Sequence, residues 1–307
     1  MMKASILTFS QTGNTLKVGR AISHALGENG IRVEHTRYLH RNNWDPESAD
    51  LIGIGCPVFE NMPAECVPEY LQLHNFKRKK AFVFITSGGS PAKSLWHLSR
   101  ALSRTGADVI GGMQLRGAVT VPTKFGEFTG RPDERDLAQA SAFGNALAAN
   151  ITEKTALPDQ YSINSKQGAG LYNILGPCLT YLKKKITPLP VSDPVKCTCC
   201  GNCVRECPTD SITINQGVVS FSNTCMVCYR CWHVCSSDAI TMRFSPGDGT
   251  IERLLYANRM ERFFGNIKAD ENIGPNLYKD VLARKIRLKY DRKDPTAEFE
   301  TDDMKVH

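Results

Sequence analysis

The chain has 307 residues, 41% of them hydrophobic and 22% charged, enough to bury an ordinary core in about two domains. It opens with no basic segment leading into an apolar core and a small-residue cleavage site, and no stretch approaches ~20 uninterrupted apolar residues, so the expectation is a cytoplasmic protein with no membrane span. The formal charge of +7 is scattered and does not mark a nucleic-acid surface, while the crowding of cysteines between Cys197 and Cys235 points to a metal module in a reducing compartment and away from a disulfide scaffold.

Residues 3–9 (KASILTF) form a short apolar run, and residues 14–27 place Leu16, Val18, Ile22, Ala25 and Leu26 on one helical stripe that stops at Gly27. The same rhythm predicts strands near 31–36, 50–55, 80–86 and 108–118, and helices near 63–74, 91–104 and 133–150. Strands buried on both faces and separated by helices imply an α/β fold with a doubly wound parallel sheet. In such sheets ligands sit at the carboxyl ends of the strands, where the strand order reverses.

Ser10, Gln11, Thr12, Gly13, Asn14 and Thr15 (SQTGNT) lie at the end of the first strand. Their backbone N–H groups, the hydroxyls of Ser10, Thr12 and Thr15 and the amide of Asn14 can converge on a phosphate at a helix N-terminus, where the helix dipole favours an anion. The loop lacks the lysine of a GxxxxGKS motif, so a retained monophosphate suits it better than a hydrolysed triphosphate. A capped helix preceded by an incidental Ser/Thr loop is the plainer reading of the hexapeptide alone.

SQTGNT resembles the first loop of the flavodoxin family, T/S-x-T-G-x-T, over a similarity that spans roughly residues 3–150. The resemblance implies a five-stranded parallel sheet and FMN as cofactor, its phosphate on Ser10–Thr15. It also assigns a flavin-flanking role to Pro57, Val58 and Phe59 in GCPVFENMP, with Phe59 as the stacking ring, and a close backbone approach to the isoalloxazine at Ser87, Gly88 and Gly89 in TSGGS. Cys56 and Cys66 read as small buried hydrophobes, and Trp96 and His97 as helix-surface or core residues. The Gly- and Pro-rich Thr120–Glu134 segment is too long for a tight turn and is a candidate lid over the flavin edge.

Residues 153–192 break the alternation, first as a linker and then as a helical stretch over 171–186 interrupted at Gly176 and Pro177. The expected organisation is therefore a first domain at 1–152, a linker and helix at 153–192, a cysteine domain at 193–244 and a helical extension at 245–307. Cys197, Cys200, Cys203 and Cys207 are spaced C-x2-C-x2-C-x3-C, and Cys225, Cys228, Cys231 and Cys235 repeat the spacing. Tetrahedral zinc sites usually take two CxxC pairs separated by a longer spacer, which these runs do not match. Over about residues 195–244 the two copies resemble bacterial two-cluster ferredoxins.

That resemblance implies a small α+β ferredoxin-like domain with two 4Fe-4S clusters and a fourth ligand exchanged between motifs. Cys197, Cys200, Cys203 and Cys235 would hold one cluster, and Cys225, Cys228, Cys231 and Cys207 the other. The strands SITI and AITM would close the domain around them. Ser236 stands where the family usually repeats proline, and Cys199 is surplus. Two clusters and an FMN phosphate together bring roughly −6, which would reduce the net charge to about +1.

Fusions of the two domain types form a family of electron-transfer proteins, which this chain resembles over most of its length. The resemblance implies electron transfer between clusters, FMN and a partner redox protein. The rival expectation is an enzyme reducing a small-molecule substrate at the flavin, with His97 or Lys124 as proton donor or orienting charge.

Overall fold

The computed structural model describes residues 2–39, 44–59, 62–88, 91, 93–118, 130–163 and 189–241. The sequence-based helix over 171–186, the helical extension at 245–307, Gly89, Lys124 and most of the Thr120–Glu134 segment lie outside them. Among the described residues no helix is long and apolar enough to cross a membrane.

The N-terminal half alternates β1 (Lys3–Thr8), α1 (Asn14–Glu28), β2 (Arg32–Arg37), β3 (Leu51–Phe59), β4 (Met62–Pro63), α2 (Cys66–Leu71), β5 (Lys80–Ser87), α3 (Ser94–Ser103), β6 (Asp108–Arg116) and α4 (Glu134–Thr152). The five long strands are parallel in the order β2-β1-β3-β5-β6, and β4 pairs antiparallel with the end of β3. This is an α/β parallel sheet of the flavodoxin-like type. The chain leaves β1 for one edge, then returns through β3 toward the other, so the strand order reverses between β1 and β3.

Side chains alternate across the sheet as the pleat requires. Ala4 and Ile6 of β1 face a core built with Val18, Ile22 and Leu26 of α1 and Ala140, Phe143 and Leu147 of α4. Leu7 and Phe9 belong to the opposite core, with Cys66, Val67 and Leu71 of α2 and Leu95, Leu98 and Leu102 of α3. Burial of both faces is what makes the central strands almost wholly apolar.

The stretch after α4 also packs on the first domain. Tyr161, in a 3-10 turn at Asp159–Tyr161, is buried against Phe143 with ring centroids 4.6 Å apart, and Leu157 and Ile163 pack on the two cores. A sequence reading that follows only periodicity takes these isolated apolar residues for linker.

Residues 189–241 form a smaller α+β unit. β7 (Val191–Ser192) pairs antiparallel with β10 (Ile240–Thr241), and β8 (Ile212–Asn215) with β9 (Val218–Phe221). Gln216 and Gly217, at φ 49° and 80°, turn the β8–β9 hairpin through the left-handed region that suits a two-residue loop. Its core gathers Cys207, Ile212, Cys231, Trp232 and Ile240.

Candidate functional site

Gly13 at φ 97° is the N-cap of α1, in a conformation costly for any residue with a Cβ, and no side chain caps the helix there. The loop folds on its own hydroxyls: Ser10 Oγ accepts the Gly13 N–H at 3.0 Å, and the Asn14 amide donates to Thr12 Oγ1 at 3.3 Å. Thr15 Oγ1 lies 2.7 Å from Thr86 Oγ1, which ties the loop to the end of β5. Ser10, Gln11, Thr12, Asn14 and Thr15 are all buried. Main-chain N–H groups at a helix start, with hydroxyls beside them, make a donor set suited to a phosphate.

Two further predicted segments meet this loop at the carboxyl end of the sheet. Pro57, Val58 and Phe59 end β3 half-buried, folded back by the β4 ribbon through Val58↔Pro63 and Phe59↔Met62. The Phe59 ring stands 6.5 Å from Phe9, which in turn meets Tyr38 edge-on at 6.0 Å. Ser87 is buried, Gly88 is half-buried, and Ser87 O accepts the Gly117 N–H at 3.0 Å.

Burial pushes the Cys56 thiol up to about 12, and burial followed by the neighbouring Cys228 and Cys56 raises Cys66, so both behave as hydrophobes and not as thiolates. His97 is held below its ordinary value by burial, then by the charges of Lys93 and Arg100, and its ring packs 5.0 Å from Trp96.

In the smaller unit the two cysteine runs superpose in detail. Left-handed residues recur at the same places in each: Cys199 and Val227, Gly201 and Tyr229, Asp210 and Asp238. The Ser211 N–H donates to Cys207 Sγ at 3.3 Å, and the Ala239 N–H to Cys235 Sγ at 3.3 Å. Hydroxyls of Thr209 and Ser237 stand 3.7 and 3.6 Å from the same two sulfurs.

Thiols of the two motifs lie close enough to perturb one another. Cys203 is raised by burial and then by Cys200, Cys235 and Cys197, whereas Cys228 is pushed up to about 12 by burial, with Cys225 and Cys207 adding to it. Cys231 is raised by burial first, then by Cys228, Cys225, Cys207 and Cys203. Burial also raises Cys235, but the Ser237 hydroxyl and the N–H groups of Ala239, Ile240 and Ser237 outweigh it and bring that thiol down. Cys199 is exposed, and its Sγ donates to the Gly217 carbonyl at 3.6 Å.

Four crowded thiols cannot all ionise without a cation among them, so this donor set fits a positively charged metal-sulfide core. Among the described residues no group of three or more His, Cys, Asp or Glu side chains is gathered closely enough to hold a metal ion. A four-iron cubane takes each thiolate at a separate corner, so its ligands need not converge on one point.

The two units meet at the predicted motifs, partly through Arg230, Glu206 and Arg37, to which no sequence motif drew attention. Arg230, between Cys228 and Cys231, is 2% exposed. Its Nη1 donates to the carbonyls of Gln11 at 2.6 Å and Ser10 at 3.2 Å, and its Nε to the Glu206 carboxylate at 2.7 Å. Glu206 is also paired with Arg37 at the end of β2. Cys228 joins the apolar core that contains Phe9, Tyr38 and Cys66, and Met226 packs against it.

No protein-family profile matches the chain. It is 27% identical over 155 residues to an uncharacterised protein of Methanocaldococcus jannaschii, covering 48% of this chain and all of that one. Among solved structures it is similar to a flavodoxin from the domain Archaea, with a TM-score of 0.42 at 17% identity over 49% of this chain and 99% of that one. It is also similar to oxidised Flavodoxin 2 of Bacillus cereus, with a TM-score of 0.40 at 19% identity over 50% and 99% of the two chains.

Proposed function

We propose that the chain is an electron-transfer protein that holds FMN on its flavodoxin-like sheet and two 4Fe-4S clusters on its cysteine unit, exchanging electrons with a partner redox protein. The observation that carries this reading is the seating of the second cysteine run on the first domain. Cys228 lies in the apolar core beneath the candidate flavin loops, and Arg230, two residues on, bonds to the carbonyls of Ser10 and Gln11.

In this reading Ser10–Thr15 hold the phosphate, Phe59 flanks the ring system and Ser87–Gly89 admit its edge. Cys225, Cys228, Cys231 and Cys207 take the cluster nearer the flavin, and Cys197, Cys200, Cys203 and Cys235 the outer one. Clusters exchange single electrons and a flavin takes one or two, which is the chemistry these groups supply when bound. The residues themselves contribute position: buried apolar packing between the units excludes water and fixes the separation.

The test is to purify the full chain anaerobically and measure iron, acid-labile sulfide and flavin. About eight iron, eight sulfide and one FMN per chain are expected for two cubanes and one flavin, with cluster and flavin absorption both bleaching on reduction. Zinc without visible charge-transfer absorption would overturn the cluster half, and failure to retain FMN the flavin half. Rapid turnover of a small molecule without any partner protein would favour an enzyme over an electron carrier.

A further inference from the structure

We propose that Arg230 is a positioning residue through which the cysteine unit completes the phosphate cradle of the flavin site, an inference that rests on the FMN reading above. The phosphate loop has no cation of its own, since Ser10, Gln11, Thr12, Gly13, Asn14 and Thr15 are all neutral. The guanidinium of Arg230 comes to it from the other unit and is buried there.

Geometry decides what the guanidinium does. In a planar trans peptide the C=O and N–H point in opposite directions. The carbonyl of Ser10 shares its peptide plane with the N–H of Gln11, and that of Gln11 with the N–H of Thr12. By bonding both carbonyls, at 3.2 and 2.6 Å, Arg230 turns those two N–H groups away from itself. It holds the loop from behind and aims its donors at the site, without occupying the place of the phosphate.

The task calls for arginine. One edge of the fork, Nε and Nη2, engages Glu206, while Nη1 spans two carbonyls. Glu206 is shared with Arg37 of β2, so the carboxylate that holds one edge of the fork is itself anchored to the first domain. Arg230 is also one residue from Cys231 and two from Cys228, so the backbone that carries the inner cysteine set is the backbone that aims the cradle.

The experiment compares two ligands that differ only by the phosphate. The flavin-stripped full chain is titrated anaerobically with FMN and with riboflavin, following quenching of flavin fluorescence, in the wild type, Arg230→Gln and Arg230→Lys. The expected result is an FMN Kd about tenfold or more weaker in Arg230→Gln, with the riboflavin Kd changed less than about twofold. Lys should recover only part of the loss, because it keeps the charge but cannot bridge a carboxylate and two carbonyls.

A general loss of structure would weaken both ligands alike, and that outcome overturns a role aimed at the phosphate. Unchanged FMN affinity in Arg230→Gln overturns it too, and full recovery by Lys overturns the need for the fork. A wild-type chain that binds neither ligand overturns the flavin reading itself, and this inference with it.

Discussion

At the scale of one residue, His35 is a buried titratable group whose hydrogen bonds fix its tautomer. Ser23 Oγ spends its hydrogen on the Gly19 carbonyl at 2.7 Å, so at 3.1 Å it can only accept from His35, and Nδ1 carries the proton. Nε2 then accepts from Thr8 Oγ1 at 2.8 Å. Burial, followed by the charge of Arg20, lowers the His35 pKa from 6.5 to about 3. The native imidazole therefore stays neutral where the unfolded chain takes up a proton, and stability is complete above pH 6.5 and lost as pH falls toward 3. One proton of difference corresponds to a slope of about 1.4 kcal/mol per pH unit within that window. Denaturant titrations of wild type and His35→Gln between pH 7 and 5 should show the wild type losing stability more steeply; parallel slopes would refute the assignment.

At the scale of elements, the approach of α1 to α4 is set by Gly144. A Cβ there would stand 2.7 Å from Ala25 Cβ and 2.8 Å from the Ile22 carbonyl oxygen, which as backbone cannot rotate aside. Helix propensity alone would make Gly144→Ala stabilising by about 1 kcal/mol, but overpacking two helices costs about 1–3 kcal/mol, so a net loss is expected. A lowered denaturation midpoint checks it, and a raised one would mean that the helices separate freely. These helices were legible in the sequence because their apolar stripe repeats: residues 14–27 became Asn14–Glu28 and residues 133–150 became Glu134–Thr152. The strands near 31–36 and 80–86 likewise fell at Arg32–Arg37 and Lys80–Ser87. AITM, expected as a strand, contains β10, but the two-residue strands β4 and β7 are too short to carry a period, and β9 alternates exposure without any buried residue, so nothing in its pattern announced it.

At the scale of the whole molecule, local motifs were legible and the contacts between units were not. Ser10–Thr15 and the cysteine runs are contiguous, so spacing displays them, whereas Arg230 meets the Ser10 carbonyl across 220 positions and no period encodes that. The crossing of the cysteine sets that the proposed function assumes is another long-range relation, and it makes a sharp prediction. Cys203 feels Cys235 together with Cys200 and Cys197, and Cys231 feels Cys207 and Cys203 together with Cys228 and Cys225. Each fourth cysteine follows a short helix of its own motif, Asn202–Arg205 before Cys207 and Arg230–Val234 before Cys235. Cys235→Ser should therefore damage the centre of Cys197, Cys200 and Cys203, far from it in sequence, and spare that of Cys225, Cys228 and Cys231, beside it. Cys199, exposed, bonded to the Gly217 carbonyl and two residues from Cys197, is placed to substitute, so the comparison belongs in a Cys199→Ala background. Graded reduction followed by electron paramagnetic resonance separates the two centres. In the proposed reading Cys228 brings its centre against the core of the first domain, so that centre's signal should also be the one that changes when FMN is removed, and selective loss of that signal in Cys235→Ser would show that the cysteines do not cross.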